Sequence, residues 1–124
     1  MGGRGSAGPS AATEQTRREV QIENRIRAAY RDALAAMSPA RNDRLPRNGD
    51  RVALADIRDR VGKSVNRQDV DAALKRMAMG GVRFEAQENR QRLTQADRNS
   101  VLYVGMREYH FLLLDDPSPR RLRR

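Results

Sequence analysis

The chain has 124 residues and a formal net charge of +9, from 25 Lys and Arg against 16 Asp and Glu; this length accommodates one compact domain and no second hydrophobic core. It has no cysteine, and His110 is its one histidine, which excludes disulfide bonds and metal sites built on thiolates or on several histidines. No run of about 18 apolar residues and no apolar leader is present, so a membrane span and secretion are not expected, and a cytoplasmic location follows by default.

The positive charge is the strongest compositional signal. A domain this basic attracts polyanions, which means nucleic acid or anionic lipid. Only Lys63 and Lys75 are lysines, and all other basic residues are arginines. A GC-rich genome also favours Arg over Lys, so the evidence for a polyanionic partner is the net positive charge and not the preference for arginine. A membrane surface is the weaker choice of polyanion because the chain lacks a basic amphipathic helix.

Both ends of the chain differ in composition from its centre. Residues 1–13 are rich in Gly, Ser, Ala and Pro, which predicts a disordered tail. Residues 115–124, DDPSPRRLRR, predict a disordered basic tail. The single domain is therefore expected to span residues 16–114.

The first predicted helix runs from about Thr16 to Met37. Thr16 followed by Glu19 makes a capping-box pattern at its start, and Ser38-Pro39 ends it because the residue before a proline avoids helical backbone. Residues 38–50 hold two prolines, two asparagines and a glycine, which is typical of a loop. The apolar residues at helical spacing form one stripe: Ile22, Ile26, Ala29, Tyr30, Ala33 and Met37.

A short strand and two further helices are predicted next. Val52 and Leu54 alternate as in a strand, and residues 54–61 then take helical spacing up to Gly62, a favoured residue just after a helix. Residues 62–66, GKSVN, predict a tight turn, after which Asn66 caps a third helix that extends to Met79. The inward stripe of this third helix is predicted to be Val70, Ala73, Leu74 and Met77.

The C-terminal part of the domain predicts two strands joined by a long connection. Residues 82–86 alternate as a half-buried strand does, and residues 109–114, YHFLLL, form an apolar second strand. The connection exceeds twenty residues, which is long for a plain hairpin. Within it, Thr94 and Asp97 make a capping pattern that predicts a short helix over roughly 95–103.

The passage LADIRDRVGKSVNRQDVDAALKRMAMGGVRFEA resembles the core of the winged-helix family, in which a short helix, a glycine-containing turn and a second helix lead into a two-stranded wing. The resemblance covers roughly residues 20–114 and rests on element order and spacing. It implies an α+β fold, mainly α with a small β-sheet. Three helices would form the core beside a two- or three-stranded antiparallel wing, with an extra short helix near 95–103.

The resemblance also implies duplex-DNA binding through the third helix, as a small transcriptional regulator or an architectural protein. The major groove admits one helix, and first-turn residues usually reach the base edges, here Arg67 and Gln68. Asp71 lies on the same face, and Lys75 and Arg76 would meet phosphates. The remaining candidate contacts are arginines of the wing and of the C-terminal tail: Arg83, Arg90, Arg92, Arg120, Arg121, Arg123 and Arg124. An ordinary solvated surface explains the same residues equally well, since a fold alone does not fix function.

Two features favour another role. Asp71 would repel phosphate, and the wing carries a predicted helix in place of a simple loop. The alternative is therefore a winged-helix module for protein–protein contacts in a larger assembly, or a homodimer through the first helix or the wing.

The chain shows no catalytic constellation. His110 lies in an apolar strand, where a histidine is usually a packed sheet residue, and the carboxylate pairs flanked by arginine resemble solvated ion pairs. We expect no enzyme activity, no cofactor, no metal and no small-molecule ligand. Tyr30, Phe84 and Phe111 fall on apolar faces, which leaves no stacking platform for single strands, so duplex DNA is the favoured nucleic acid.

Overall fold

The computed structural model describes the backbone of residues 4–37 and 50–120 and the side chains of residues 13–36 and 50–120. The helices are α1 (Arg4–Met37), α2 (Leu54–Val61), α3 (Arg67–Met79) and α4 (Gln95–Asn99), with a 3₁₀ turn at Arg90–Arg92. The strands are β1 (Arg51–Ala53), β2 (Arg83–Glu85), β3 (Leu102–Val104), β4 (Arg107–Tyr109) and β5 (Phe111–Leu113). The α+β class is confirmed. Within the described ranges, no helix has both the length and the apolarity needed to cross a membrane.

The apolar stripe of α1 forms one wall of the core. Ile26 and Tyr30 are completely buried, and the other predicted stripe members that the structure describes, Ile22, Ala29 and Ala33, are buried with them. The Tyr30 hydroxyl donates to the carbonyl of Asp50, so the one polar atom of this side chain is satisfied. The side chain of Met37 lies outside the described residues, as do residues 38–49 of the predicted loop.

The predicted start of the first helix is wrong. α1 begins at Arg4, so Thr16 and Glu19 lie inside it and cannot cap it, and the segment from residue 4 to 13 is helical instead of a tail. The Glu19 carboxylate accepts from Gln15 Nε2 at 3.1 Å and faces Arg76 on α3. The upstream alanines have the highest helix propensity of any residue, which outweighs the turn-forming residues among them.

The predictions for α2, the turn and α3 are confirmed. Gly62 ends α2 in left-handed backbone, with φ +85°, and its N–H donates to the carbonyl of Arg58 at 3.1 Å, a conformation that glycine adopts without strain. Asn66 Oδ1 accepts from the backbone N–H of Asp69 at 2.8 Å and caps α3. All four predicted inward residues of α3 are buried.

The three-stranded antiparallel sheet has the order β1–β5–β2 and closes the core opposite the helices. Leu112 of the central strand lies between Val52 on β1 and Phe84 on β2. Leu112 and Leu74 of α3 are fully buried in the same apolar cluster. One hydrophobic centre therefore joins α1, α2, α3 and the sheet.

The predicted strand over residues 109–114 is two strands. β4 pairs with β3 in a separate two-stranded sheet, and β5 pairs with β1 and β2, with His110 between them. The His110 N–H donates to the Glu85 carbonyl at 2.8 Å and its carbonyl accepts from Leu54 N at 2.9 Å. His110 is thus a buried residue between two strands and not within one, and its Nδ1 also accepts from Gln87 N at 3.0 Å.

The helix predicted over 95–103 is correct at its start and wrong at its end. Thr94 and Asp97 form the reciprocal capping box, with both hydrogen bonds at 3.0–3.1 Å. α4 ends at Asn99, and residues 102–104 are strand β3. Gly105, at φ +62°, allows the tight turn that pairs β3 with β4, and this pairing takes Leu102 and Tyr103 out of the helix.

Residues 115–120, which we call the C-terminal strap, lie along α1 instead of forming a free tail. Arg27 donates to the Asp116 carbonyl at 2.7 Å. Asn24 and the backbone of Arg120 exchange two hydrogen bonds, at 3.0 and 2.7 Å. Pro117 is buried. Contacts near both ends of the strap therefore hold it against α1.

Candidate nucleic-acid interface

The exposed face of α3 carries a straight row of four side chains. Gln68, Ala72, Lys75 and Met79 are spaced by four, three and four residues and are all exposed, which places them along one line of the helix. We call this row the α3 stripe. At about 1.5 Å per residue it is about 16 Å long. The opposite face of α3 is buried in the core, so the stripe is held rigidly at the surface.

Arg67, predicted to contact bases, is turned toward the connection between α4 and β3. Its guanidinium donates to the carbonyl of Asn99 and to that of Val101, the latter at 3.3 Å. Its Nε also lies 3.7 Å from Asp71 Oδ2. The donors that would bind a guanine edge are therefore engaged within the chain.

Asp71 is neutralised by an arginine that the sequence did not single out. Arg58 Nη2 on α2 lies 2.6 Å from Asp71 Oδ1, with side-chain exposures of 13% and 29%. Arg58 Nε donates to the Ser100 carbonyl at 3.0 Å. Burial lowers the pKa of the Arg58 guanidinium from its ordinary value, and the hydrogen bond and charge of Asp71 act against that shift.

Together Arg58, Arg67 and Asp71 form what we call the arginine clamp. It gathers the carbonyls of residues 99–101 against α2 and the first turn of α3. The expected repulsion between Asp71 and phosphate is offset because the carboxylate faces two guanidinium groups of its own chain. The spacing of Arg67 and Asp71 on α3 signals one ion pair of the clamp. The part played by Arg58 and by the carbonyls of residues 99–101 has no local signal, because these groups come from other segments of the chain.

The other predicted arginines lie on several faces. Arg76 faces α1, with Nε 3.9 Å from Glu19 Oε1. Arg83 on β2 pairs with Asp115 at 3.5 Å. Arg90 pairs with Glu108 at 3.8 Å, and Arg92 is exposed. Arg76, Arg83 and Arg90 thus each face a carboxylate of the chain, on α1, on the strap and on β4 respectively.

Of the four predicted C-terminal arginines, the structure describes Arg120 alone. Arg120 Nη1 lies 2.9 Å from Oε1 of Glu23, a buried carboxylate that also pairs with Arg27. Arg120 therefore holds the strap to α1 and is not a free phosphate ligand. Arg121, Arg123 and Arg124 lie outside the described residues.

The structure adds three residues that the sequence argument did not count as contacts. Ala72 and Met79 complete the α3 stripe, and Met79 is 85% exposed. Helical spacing in the sequence already places Ala72 on the outward face with Gln68 and Lys75, and the same spacing extends to Met79. Arg98 in the last turn of α4 is exposed and is adjacent in sequence to Asn99, the residue that Arg67 holds.

An apolar groove lies beside the end of the α3 stripe. It has a volume of about 220 Å³. Phe84 and Tyr109 line it, with ring centroids 6.0 Å apart. Met106, in the turn of the β3–β4 hairpin, is fully exposed. The lining residues are Ala78, Met79, Val82, Phe84, Val104 and Tyr109.

Comparisons with protein-family models, with curated proteins and with solved structures gave no match.

Proposed function

We propose that the chain binds duplex DNA by placing the α3 stripe in the major groove, as a small transcriptional regulator or an architectural protein. The observation that carries this proposal is the stripe itself: four exposed side chains in a line about 16 Å long on a helix whose other face is buried. The major groove, about 12 Å wide, admits one such helix.

The arrangement of the sheet supports the proposal. Strand β1 precedes α2, strand β2 follows α3, and β5 returns between them to give the order β1–β5–β2. This layout is compatible with a winged helix in which β2 and β5 form the base of the wing. The residues between these strands, from 86 to 110, would then be a wing folded back onto α2 and α3 by the arginine clamp.

The charge of the chain supports the same choice of ligand. A net charge of +9 produces a field that attracts a polyanion and speeds its association. Lys75 lies within the stripe, and Arg92 and Arg98 are exposed on the folded-back segment. Among the residues that the structure describes, neither of these two arginines forms an ion pair with a carboxylate.

The proposal is tested by titrating a random-sequence duplex at two salt concentrations. We expect affinity to fall steeply with salt, because phosphate contacts release counterions. Lys75→Ala should weaken binding and reduce the salt slope by about one. The matched control is Arg31→Ala, which removes one exposed cation from α1 and should leave both quantities nearly unchanged.

Two results would reject the proposal. One is the absence of duplex binding at low salt. The other is an equal loss of affinity in Lys75→Ala and Arg31→Ala, because binding would then follow net charge and not the stripe.

The apolar groove favours a second candidate, a protein-interaction module that includes self-association. Met79 lines the groove, and Met106 is exposed on the β3–β4 hairpin, which also contributes Val104 and Tyr109 to the groove. Exposed apolar patches often mark protein contacts. Sedimentation of the wild-type chain and of Met106→Ser tests self-association through the exposed methionine of the hairpin. A dimer that dissociates in Met106→Ser would favour the second candidate, and a monomer at every concentration would reject self-association.

A further inference from the structure

The α3 stripe contains no arginine, although α3 has two. Arg67 is held by the carbonyls of Asn99 and Val101 and by Asp71. Arg76 faces Glu19 on α1. Both guanidinium groups are thus directed away from the line that would enter the groove, and the stripe keeps one amide, one ammonium and two apolar side chains.

The side chains of the α3 stripe suit some bases better than others. In the major groove, guanine offers two acceptors that suit Arg or Lys, and adenine offers an acceptor and a donor that suit the amide of Gln. Thymine alone presents a methyl group, which apolar side chains contact favourably. Gln68 therefore matches adenine, and Ala72 and Met79 match thymine.

We infer that the α3 stripe recognises A·T base pairs, with Gln68 on an adenine and Ala72 and Met79 against thymine methyl groups. This inference rests on the proposed function and adds its specificity. Ala72 projects only one carbon, so the backbone of α3 can approach the base edges closely at the centre of the stripe. Lys75 is the one stripe member suited to guanine. A guanine is therefore expected only opposite Lys75, and at a site without that guanine Lys75 contacts a phosphate.

The length of the stripe sets the size of the recognised core. A stripe about 16 Å long spans about five base-pair steps at about 3.4 Å each. Reading guanine with Arg67 would require it to leave two carbonyls and one carboxylate, and those acceptors would lose their donors. The clamp thus selects against G·C pairs opposite the first turn of α3.

The inference is tested by selecting binding sites from a randomised duplex library with the whole chain. We expect the enriched sites to share an A·T core of about five base pairs. On an enriched site, an adenine analogue lacking N7 should weaken wild-type binding by at most about 150-fold, because it removes one of the two hydrogen bonds of a contact worth about 5- to 150-fold. Gln68→Ala should weaken binding to the natural site similarly and should be insensitive to the analogue.

Thymine is tested in the same way with uracil, which lacks the methyl group. Replacing thymines by uracils should weaken wild-type binding, and Met79→Ser should show a smaller loss for the same replacement. Gln21→Ala on α1 is the matched control, since it removes an exposed glutamine outside the stripe. It should retain the wild-type response to both base analogues.

The outcomes separate the inference from the proposed function. Salt-dependent duplex binding without an enriched core, or with a G·C core, would overturn the inference and leave duplex binding in place. Equal sensitivity of wild type and Gln68→Ala to the adenine analogue would overturn the role of Gln68. No duplex binding under any condition would overturn both.

Discussion

The α2–α3 pair and the insert between β2 and β5 (residues 86–110) are stabilised by different forces. Leu54, Ile57 and Leu74 of the helix pair are completely or almost completely buried. In the insert, every residue from Ala86 to Ser100 is exposed or half-buried, and burial begins at Val101 and Leu102. The arginine clamp holds the carbonyls of residues 99–101 to the helices. Apolar burial stabilises the helix pair and the Leu102 end of the insert, and directional hydrogen bonds position the rest of the insert.

This difference bears on the proposed function because the helix pair carries the α3 stripe and the insert lies beside it. Apolar burial is roughly proportional to area and has no preferred direction. A guanidinium that donates to fixed carbonyls holds its partners in one geometry. The helix pair therefore provides stability, and the clamp fixes where the insert lies relative to the stripe.

The largest expected effect comes from the apolar core. Leu74→Ala removes a completely buried side chain of α3 and should lower the free energy of unfolding by about 2–5 kcal/mol, through lost burial and the cavity left behind. Urea denaturation followed by circular dichroism measures it. Lys75→Ala, the exposed neighbour, should change it by less than about 0.5 kcal/mol; similar losses in both variants would show that Leu74 is not a core residue.

A smaller and more local effect is expected from the clamp. Arg58→Ala leaves Asp71 with Arg67 alone and removes the donor to Ser100, so unfolding should become easier by about 1–3 kcal/mol. Hydrogen exchange should show faster exchange at residues 101–104, with the amides of α3 still protected.

Arg60→Ala is the control for the clamp because it removes an exposed arginine from the same helix. It should leave the exchange rates of both regions unchanged. Equal acceleration of α3 and the insert in Arg58→Ala would contradict the division of roles between burial and the clamp.

The same comparison shows what a sequence can predict. The elements of the helix pair have local signals: Gly62 after α2, Asn66 before α3 and an apolar stripe of period 3.6. The start of α4 was predictable for the same reason, from Thr94 and Asp97. The division at His110 and the strand β3 were not, because they depend on which strands pair, and the apolar run YHFLLL is continuous in sequence.

The candidate interface also has residues that the sequence could predict and residues that it could not. Gln68 and Lys75 were predictable as exposed residues of the third helix. The orientations of Arg67, Arg76 and Arg120 were not, because each depends on an acceptor remote in sequence: the carbonyls of Asn99 and Val101, Glu19 and Glu23. An arginine reaches several partners from one position, so its role follows from packing and not from spacing.

The smallest expected effect concerns the strap. Asp116 accepts from Ser118, whose side chain and backbone N–H lower the pKa of this carboxyl below its ordinary value of 3.8. A depressed pKa in the folded state contributes stability at neutral pH, and that contribution is lost as the pH falls through the folded pKa. Ser118→Ala should therefore raise the pKa of Asp116 toward 3.8.

The titration of Asp116 can be followed by NMR of its side-chain carboxyl carbon. Ser64→Ala, which removes an exposed serine from the turn before α3, should leave that titration unchanged. An unaltered Asp116 titration in Ser118→Ala would show that the Ser118 side chain does not lower this pKa.

The strap also has a consequence for the kinetics of folding. Asn24 and Arg120 bond to each other across 96 positions of the chain, and they come within reach only after the core has brought β5 against α1. We expect these bonds to form after the folding transition state. Asn24→Ala should then accelerate unfolding and leave the refolding rate nearly unchanged, so the strap mainly lengthens the lifetime of the folded molecule.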